Sequence, residues 1–322
     1  MYHFLWALQD DAHRRTNGTV DLLVGNHELE LLQGHLHDLA TRRHKHDAND
    51  LQSYEVLGIP RRRKALCSYA KFPERCMANP KGKHNCADSA GGQQKAEECV
   101  RRAWDRQGAM GSKARERFKV AVQVGDSAFV HAGLLFKLWE KIEHTKDKGD
   151  AVAWLNAHFA SLVSGTPMQE LADSKDVILN AKDAHSPVWT RVGRGLDEQA
   201  PTVFSGGKDQ CELVKEGLGF LFGKAEGKRM VIGHNTILSG RPVAACQGHL
   251  IMTDTIMSRG FYEADITPGS EHQDPIEKMF DPRLSALETF DNVGAEVWSV
   301  QPVGGRQMQG GRCKHLGPGS SA

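Results

Sequence analysis

No apolar run in this chain approaches the roughly 18 to 20 residues that a membrane-spanning helix needs. Nor does the N-terminus carry a basic stretch ahead of an apolar segment. Asp10 and Asp11 interrupt it early, so no signal peptide is read there. Cys-x-x-Cys is absent, and the seven cysteines are an odd number, which argues against a complete disulfide framework. Without a secretory signal, reduced thiols in an intracellular, cytoplasmic setting are expected. Cys67, Cys76, Cys86 and Cys99 lie near His84 but lack the paired spacing of structural zinc sites, and they read as free thiols in a variable segment. No internal repeat is visible. What remains is 322 residues with 39% hydrophobic and 25% charged side chains, the composition of a soluble globular protein with a real core.

The net charge of +1 conceals an asymmetry. Residues 42–119 hold 19 Lys and Arg against 9 Asp and Glu, while the rest of the chain holds 22 against 31. A basic run such as Arg61-Arg62-Arg63-Lys64 is the kind that touches nucleic acid. No aromatic residues interleave with it as an RNA-stacking surface requires, so a solvated loop is expected, with no nucleic-acid partner and no membrane. The histidines at 35, 37, 44 and 46 could bind a metal adventitiously, but they lie where a solvated helix end is expected and read as surface residues.

Punctuation along the chain organises it. An amphipathic helix is predicted over 3–15, with Phe4, Leu5 and Leu8 on one face, ending at Asn17-Gly18. A short apolar strand over 19–24 runs into Gly25-Asn26-His27-Glu28, and helical character follows at 29–33. From about 40 to 117 the pattern degrades into an insertion, with a helix around 94–106. A β-hairpin is predicted from 118–124 and 128–131 about the turn Gly125-Asp126-Ser127. Helices follow at 135–142, 151–163 and 212–222. A buried strand is expected at 229–232 and a last strand pair at 247–255 and 295–300. Gly217 to Lys224 misses the spacing of a nucleotide-binding loop and reads as a helix end. The alternation argues α/β, with one domain over 1–302 and a disordered Gly-rich tail over 303–322.

Three histidines share one context. His27, His131 and His234 each follow a short strand, beside Gly25, Gly133 and Gly233. Glycine there lets the backbone turn sharply and lets an ion or ligand approach. Imidazole nitrogens with the amide oxygen of Asn26 suit borderline divalent metals such as Mn, Fe or Zn.

Gly25-Asn26-His27-Glu28, Val130-His131-Ala132-Gly133-Leu134 and Val231-Ile232-Gly233-His234, in that order, resemble motifs of the calcineurin-like metallophosphoesterases. The flanks are most similar to the Shewanella-like protein phosphatases: Phe4-Leu5-Trp6-x-Leu8-Gln9, Leu32-Gln33-Gly34, Ser186 to Arg191, and Asp254 to Arg259. The resemblance spans roughly residues 3–265, interrupted by the insertion. It implies a β-sandwich flanked by helices and a site for two divalent metals. It implies that Asn26, His131 and His234 bind the second metal, that His27 is the general acid, and that Arg191 holds the phosphate bidentately. The implied reaction is in-line attack of a metal-activated hydroxide on the phosphorus of a phosphoprotein or small phosphate ester. Two earlier family motifs, Gly-Asp-x-His-Gly and Gly-Asp-x-x-Asp-Arg-Gly, have no match here. With them go the first metal's ligands, the bridging Asp, the Asp that orients the general acid and the first strands of the sandwich. Two expectations follow: a truncated phosphatase sequence, or a pseudophosphatase that acts by binding.

Overall fold

In a computed structural model of the chain, the described residues are 2–35, 101–141, 151–194, 196, 209–235, 237 and 242–254, together with the strand backbone of 284–290, 294–303 and 307–316. The first four cysteines, the Arg61 to Lys64 run and His37, His44 and His46 lie outside them.

Helix α1 (Tyr2–Thr16) forms where the pattern predicts, but it turns a different face inward. Trp6 is buried while Phe4 and Leu8 stay exposed. Tyr2 decides this orientation, its ring packing at 5.9 Å from Trp6, 5.6 Å from Trp104 and 6.1 Å from Phe118.

Strand β1 is only Leu22–Leu23, pairing in parallel with β2 (Phe118–Lys119). Between them in sequence come α2 (Asn26–Gln33) and, after the undescribed stretch, α3 (Gly111–Arg117). The predicted hairpin is present as β3 (Ala121–Val124) and β4 (Ser127–Val130), with Gly125 at φ +52 in its turn. Val120 separates β2 from β3. There the Asn156 side chain accepts from Val120 N and Ala121 N and donates to Ala121 O, so the break in the ladder leaves no amide stranded.

Helices α4 (Phe136–Lys141), α5 (Ala151–Val163) and α6 (Met168–Asp173) follow, then α7 (Gln210–Phe222). Asp209 caps α7 by accepting from Cys211 N and Glu212 N, and Gly223 at φ +77 ends it. Strand β5 (Arg229–Ile232) lies parallel to β4 on one side and to β7 (Leu250–Met252) on the other, with β6 (Val243–Ala245) antiparallel at the edge. The sheet order is therefore β3-β4-β5-β7-β6.

Alternation along β5 sorts its two faces. Met230 and Ile232 join the large core with Leu134, Leu138, Trp139, Leu218 and Phe220. Val231 and Ile251 point the other way, against Phe129 and Leu287. Gly217 has no room for a side chain, since a Cβ there would sit 2.1 Å from the Leu134 carbonyl oxygen. That contact sets how closely α7 approaches the segment after β4.

Three sequence expectations change here. The predicted last strand pair is not a pair: β7 lies beside β5 and β6, while β9 (Gly294–Val303) runs between β8 (Leu284–Phe290) and β10 (Gln307–Leu316) in a separate antiparallel sheet. Within the segment 303–322 expected as a disordered tail, Gln307–Leu316 is strand, because β9 supplies its backbone partners. Cys211 and Cys246, expected reduced, form a disulfide. Their separation of 35 residues concealed it; only the return of β6 beside β7 brings Cys246 to the first turn of α7. Closing a loop of that length restricts the unfolded chain, so reduction is expected to lower the unfolding free energy by about 4 kcal/mol. Urea unfolding with and without reductant measures this, and Cys211→Ser should reproduce the reduced value.

Candidate metal centre

The site assembles at the C-terminal ends of neighbouring strands. Parallel pairing sets Val130 of β4 opposite Ile232 of β5, so the residues that follow emerge at one edge of the sheet. The bond from Gly233 N to His131 O, 2.9 Å, keeps the two exit turns together. His234 takes the left-handed conformation at φ +60, uncommon for a residue with a side chain. Arg191 Nη1 donates to its carbonyl at 2.8 Å and helps hold it there.

Helix α2 delivers the third side chain. Gly25 caps it in extended conformation, its N–H donating to Glu28 Oε2 at 3.1 Å while Leu29 N donates to Gly25 O at 3.0 Å. Tyr2 Oη donates to the other Glu28 oxygen at 2.5 Å, tying α1 to this turn. Burial, then the Glu28 charge, pushes the Tyr2 hydroxyl well above its ordinary pKa, so it stays a donor. A Cβ on Gly25 would lie 2.7 Å from Glu28 Oε2 and 3.0 Å from His131 Cε1. Glycine is needed there for close approach, as the sequence pattern anticipates.

Three polar side-chain atoms converge. His131 Nε2 is 2.9 Å from Asn26 Oδ1 and 3.1 Å from His234 Nδ1. Asn26 and His234 are buried, at 3% and 8% exposure. Burial lowers the His131 pKa to about 4, with His27 and Arg191 adding to the shift against the opposing pull of Glu28. His234 is depressed further, by burial first and then by His131 and Arg191. Both imidazoles are therefore neutral at physiological pH, the state in which a ring nitrogen binds a metal.

This donor set fits one divalent cation. It offers an amide oxygen and two imidazole rings that are neutral at physiological pH, and His234 Nε2 is a buried polar atom with no hydrogen-bond partner in the structure. Among the described residues no three His, Cys, Asp or Glu side chains gather at one point.

His27 and Arg191 stand at the rim. His27 is the second residue of α2, with 37% of its side chain exposed, and it acts electrostatically on both His131 and His234. Arg191 is exposed and close enough to do the same. All five residues singled out in the sequence thus meet at one edge of the sheet. Pattern reading missed their supports. Pro187 O accepts from Ala132 N and Gly133 N at 2.9 and 3.3 Å, docking the Ser186 to Arg191 tract on the His131 turn. Asn235 Nδ2 donates to Val192 O at 2.6 Å, and Gln210 Oε1 accepts from Gly193 N at 2.5 Å. These bonds position the loop that carries Arg191, and amide side chains of this kind leave no periodic signal in a sequence.

The lowered histidine pKa values make stability pH-dependent. Unfolded histidines bind protons below about pH 6.5, whereas folded His131 resists until about pH 4. In that interval the unfolded state holds more protons, so stability is full above pH 6.5 and falls as the pH drops toward 4. His131 alone is expected to contribute about 3 kcal/mol to this loss. Urea midpoints of chelator-treated protein at pH 7.5, 5.5 and 4.5 measure it, and His131→Asn should flatten the profile.

No protein-family model, curated protein or solved structure matches this chain. Among the described residues no helix is long and apolar enough to cross a membrane.

Proposed function

We propose that this chain is a metal-dependent phosphomonoester hydrolase of the protein phosphatase type, acting on a phosphoprotein or a small phosphate ester. The observation that carries the reading is the approach of His131 Nε2 to Asn26 Oδ1 at 2.9 Å and to His234 Nδ1 at 3.1 Å, with His27 and Arg191 at the same rim. Asn26, His131 and His234 would hold a divalent cation, whose chemistry there would be to offset phosphate charge and acidify a water. Arg191 binds the phosphoryl oxygens, its planar guanidinium presenting donors in a fork that matches two acceptors while Nη1 stays in contact with the His234 carbonyl. His27 holds the proton that goes to the leaving oxygen. His131 and His234 stay neutral at physiological pH because burial first, and then the neighbouring histidines and Arg191, disfavour the protonated rings. The resemblance set out above extends the reading to a helix-flanked sandwich and to Mn, Fe or Zn as the metal.

Hydrolysis of p-nitrophenyl phosphate by the purified chain with Mn(II), tracking metal content, tests the proposal. Turnover lost in both Asn26→Ala and His234→Ala supports it. A second reading is favoured by one observation, the absence of any carboxylate from the donor set. On that reading the chain binds a phosphorylated partner without cleaving it. Retention of a phosphopeptide by protein that shows no turnover selects this reading over the first.

A further inference from the structure

Both ends of the Cys211–Cys246 disulfide lead to the loop that carries Arg191. On one side Cys211 follows Gln210 in the first turn of α7, and neighbouring Cα atoms lie about 3.8 Å apart, so the two residues move together. Gln210 is buried and reaches into the loop, accepting from Gly193 N at 2.5 Å and donating to Arg194 O at 3.2 Å. On the other side Cys246 opens the turn that leads into β7. A Cβ on Gly193 would lie 3.0 Å from Met252 Sδ and 3.2 Å from Leu250 Cδ2, so the loop rests on that strand. Gly193 itself sits at φ +96, where glycine is favoured. Arg191 is two positions earlier, its Nη1 bonded to the His234 carbonyl.

The turn that holds Cys246 is itself under strain. Cys246 and Gln247 both take left-handed φ, +53 and +58, and Gly248 follows at +87. Such backbone is costly for residues with a Cβ and persists where the surroundings hold it. The covalent tie to α7 is one such hold, and Lys215 Nζ crosses the same gap to Gln247 Oε1 at 3.4 Å. Cys211 and Cys246 are half-buried rather than sealed, so a thiol can reach them.

We propose that the Cys211–Cys246 disulfide is a redox switch on the Arg191 loop, which is held when the bond is formed and released by a dithiol reductant. One thiolate of the reductant attacks a cysteine sulfur, the S–S bond breaks and a mixed disulfide forms. The reductant's second thiol resolves it, and the reductant leaves as a disulfide. Its two electrons and two protons end on the sulfurs of Cys211 and Cys246. The turn then relaxes toward right-handed backbone, and the first turn of α7 loosens the grip of Gln210 on Gly193. A fall in phosphate affinity, as Arg191 loses its fixed aim, rests on the proposed hydrolase reading; the release of the loop does not.

The test compares the air-oxidised chain with the same protein after dithiothreitol, by peptide mapping and pulsed hydrogen–deuterium exchange. Mapping should find the bond before reduction and free thiols at both positions after it, with the chain still folded. Amides of residues 191–194 should then exchange about five- to 150-fold faster, the range over which coupled sites usually act on each other. Helix α5 should stay protected over the same short pulses, since only local opening exposes amides that quickly. Cys246→Ser should exchange at the reduced rate with or without reductant. Calorimetric titration of inorganic phosphate with Mn(II) present, into the oxidised wild type and into Cys246→Ser, should show affinity weaker in the variant by the same factor. Absence of the bond in air, or its survival in the folded chain under dithiothreitol, overturns the switch. So does a reduced chain whose 191–194 amides keep their rates, or one in which α5 is labelled along with the loop. Loosening in a chain that binds no phosphate in either state upholds the switch and overturns the hydrolase reading. Phosphate held equally by both forms, with the loop unchanged, does the reverse.

Discussion

Replacing His27 by alanine is expected to lower kcat on alkyl phosphates by about 10²- to 10⁴-fold, the usual worth of a positioned proton donor. The loss should depend on the leaving group. An alkoxide needs protonation as the P–O bond breaks, whereas p-nitrophenolate scarcely does, so p-nitrophenyl phosphate should lose much less. Metal content should stay near the wild-type value, because His27 is outside the cluster of polar atoms formed by Asn26, His131 and His234. Steady-state kinetics on a series of phosphate esters, with metal analysis on the same preparations, provides the check. Equal damage to all esters, or an emptied metal site, would remove the general-acid assignment.

Replacing His234 by alanine is expected to abolish metal retention at micromolar metal. On the proposed reading Asn26, His131 and His234 hold the cation, and none is a carboxylate, so losing one removes a third of a neutral donor set. Disturbing a residue that merely supports a ligand costs about 10- to 100-fold in metal affinity, and loss of a ligand should exceed that. The backbone should survive. The bonds that hold this turn, Gly233 N to His131 O and Arg191 Nη1 to His234 O, are made to main-chain atoms that alanine keeps. Calorimetric titration with Zn(II) or Mn(II), beside a thermal melt, separates the two effects. Retained affinity with unchanged stability would remove His234 from the ligand set.

Much of the local structure is legible in the sequence because it is encoded over a few residues. Residues 151–163 are helix and 229–232 strand as predicted, and the Gly125-Asp126 turn lies between the two strands it was expected to join. The candidate site is legible for a related reason. His131 and His234 each end a short apolar run next to glycine, and a strand end beside glycine is where a backbone leaves a sheet. The helix at the N-terminus is a partial case. Its extent is local information, but which face turns inward depends on Tyr2 meeting Trp104 and Phe118, more than a hundred positions away.

The sequence by itself therefore determined the identity of the candidate ligands, Asn26, His131 and His234, and the strand ends that display them. Tertiary structure alone decided that these atoms meet. Parallel pairing of β4 with β5 sets the separation of the two histidines, and docking of α2 against the His131 turn brings in Asn26. It also decided the Cys211–Cys246 disulfide and the course of β9 between β8 and β10. The physical reason is common to these cases. Helix and turn signals arise from backbone sterics and neighbouring side chains, which act over a few residues, whereas sheet register and loop closure are settled by which distant segments bury surface together.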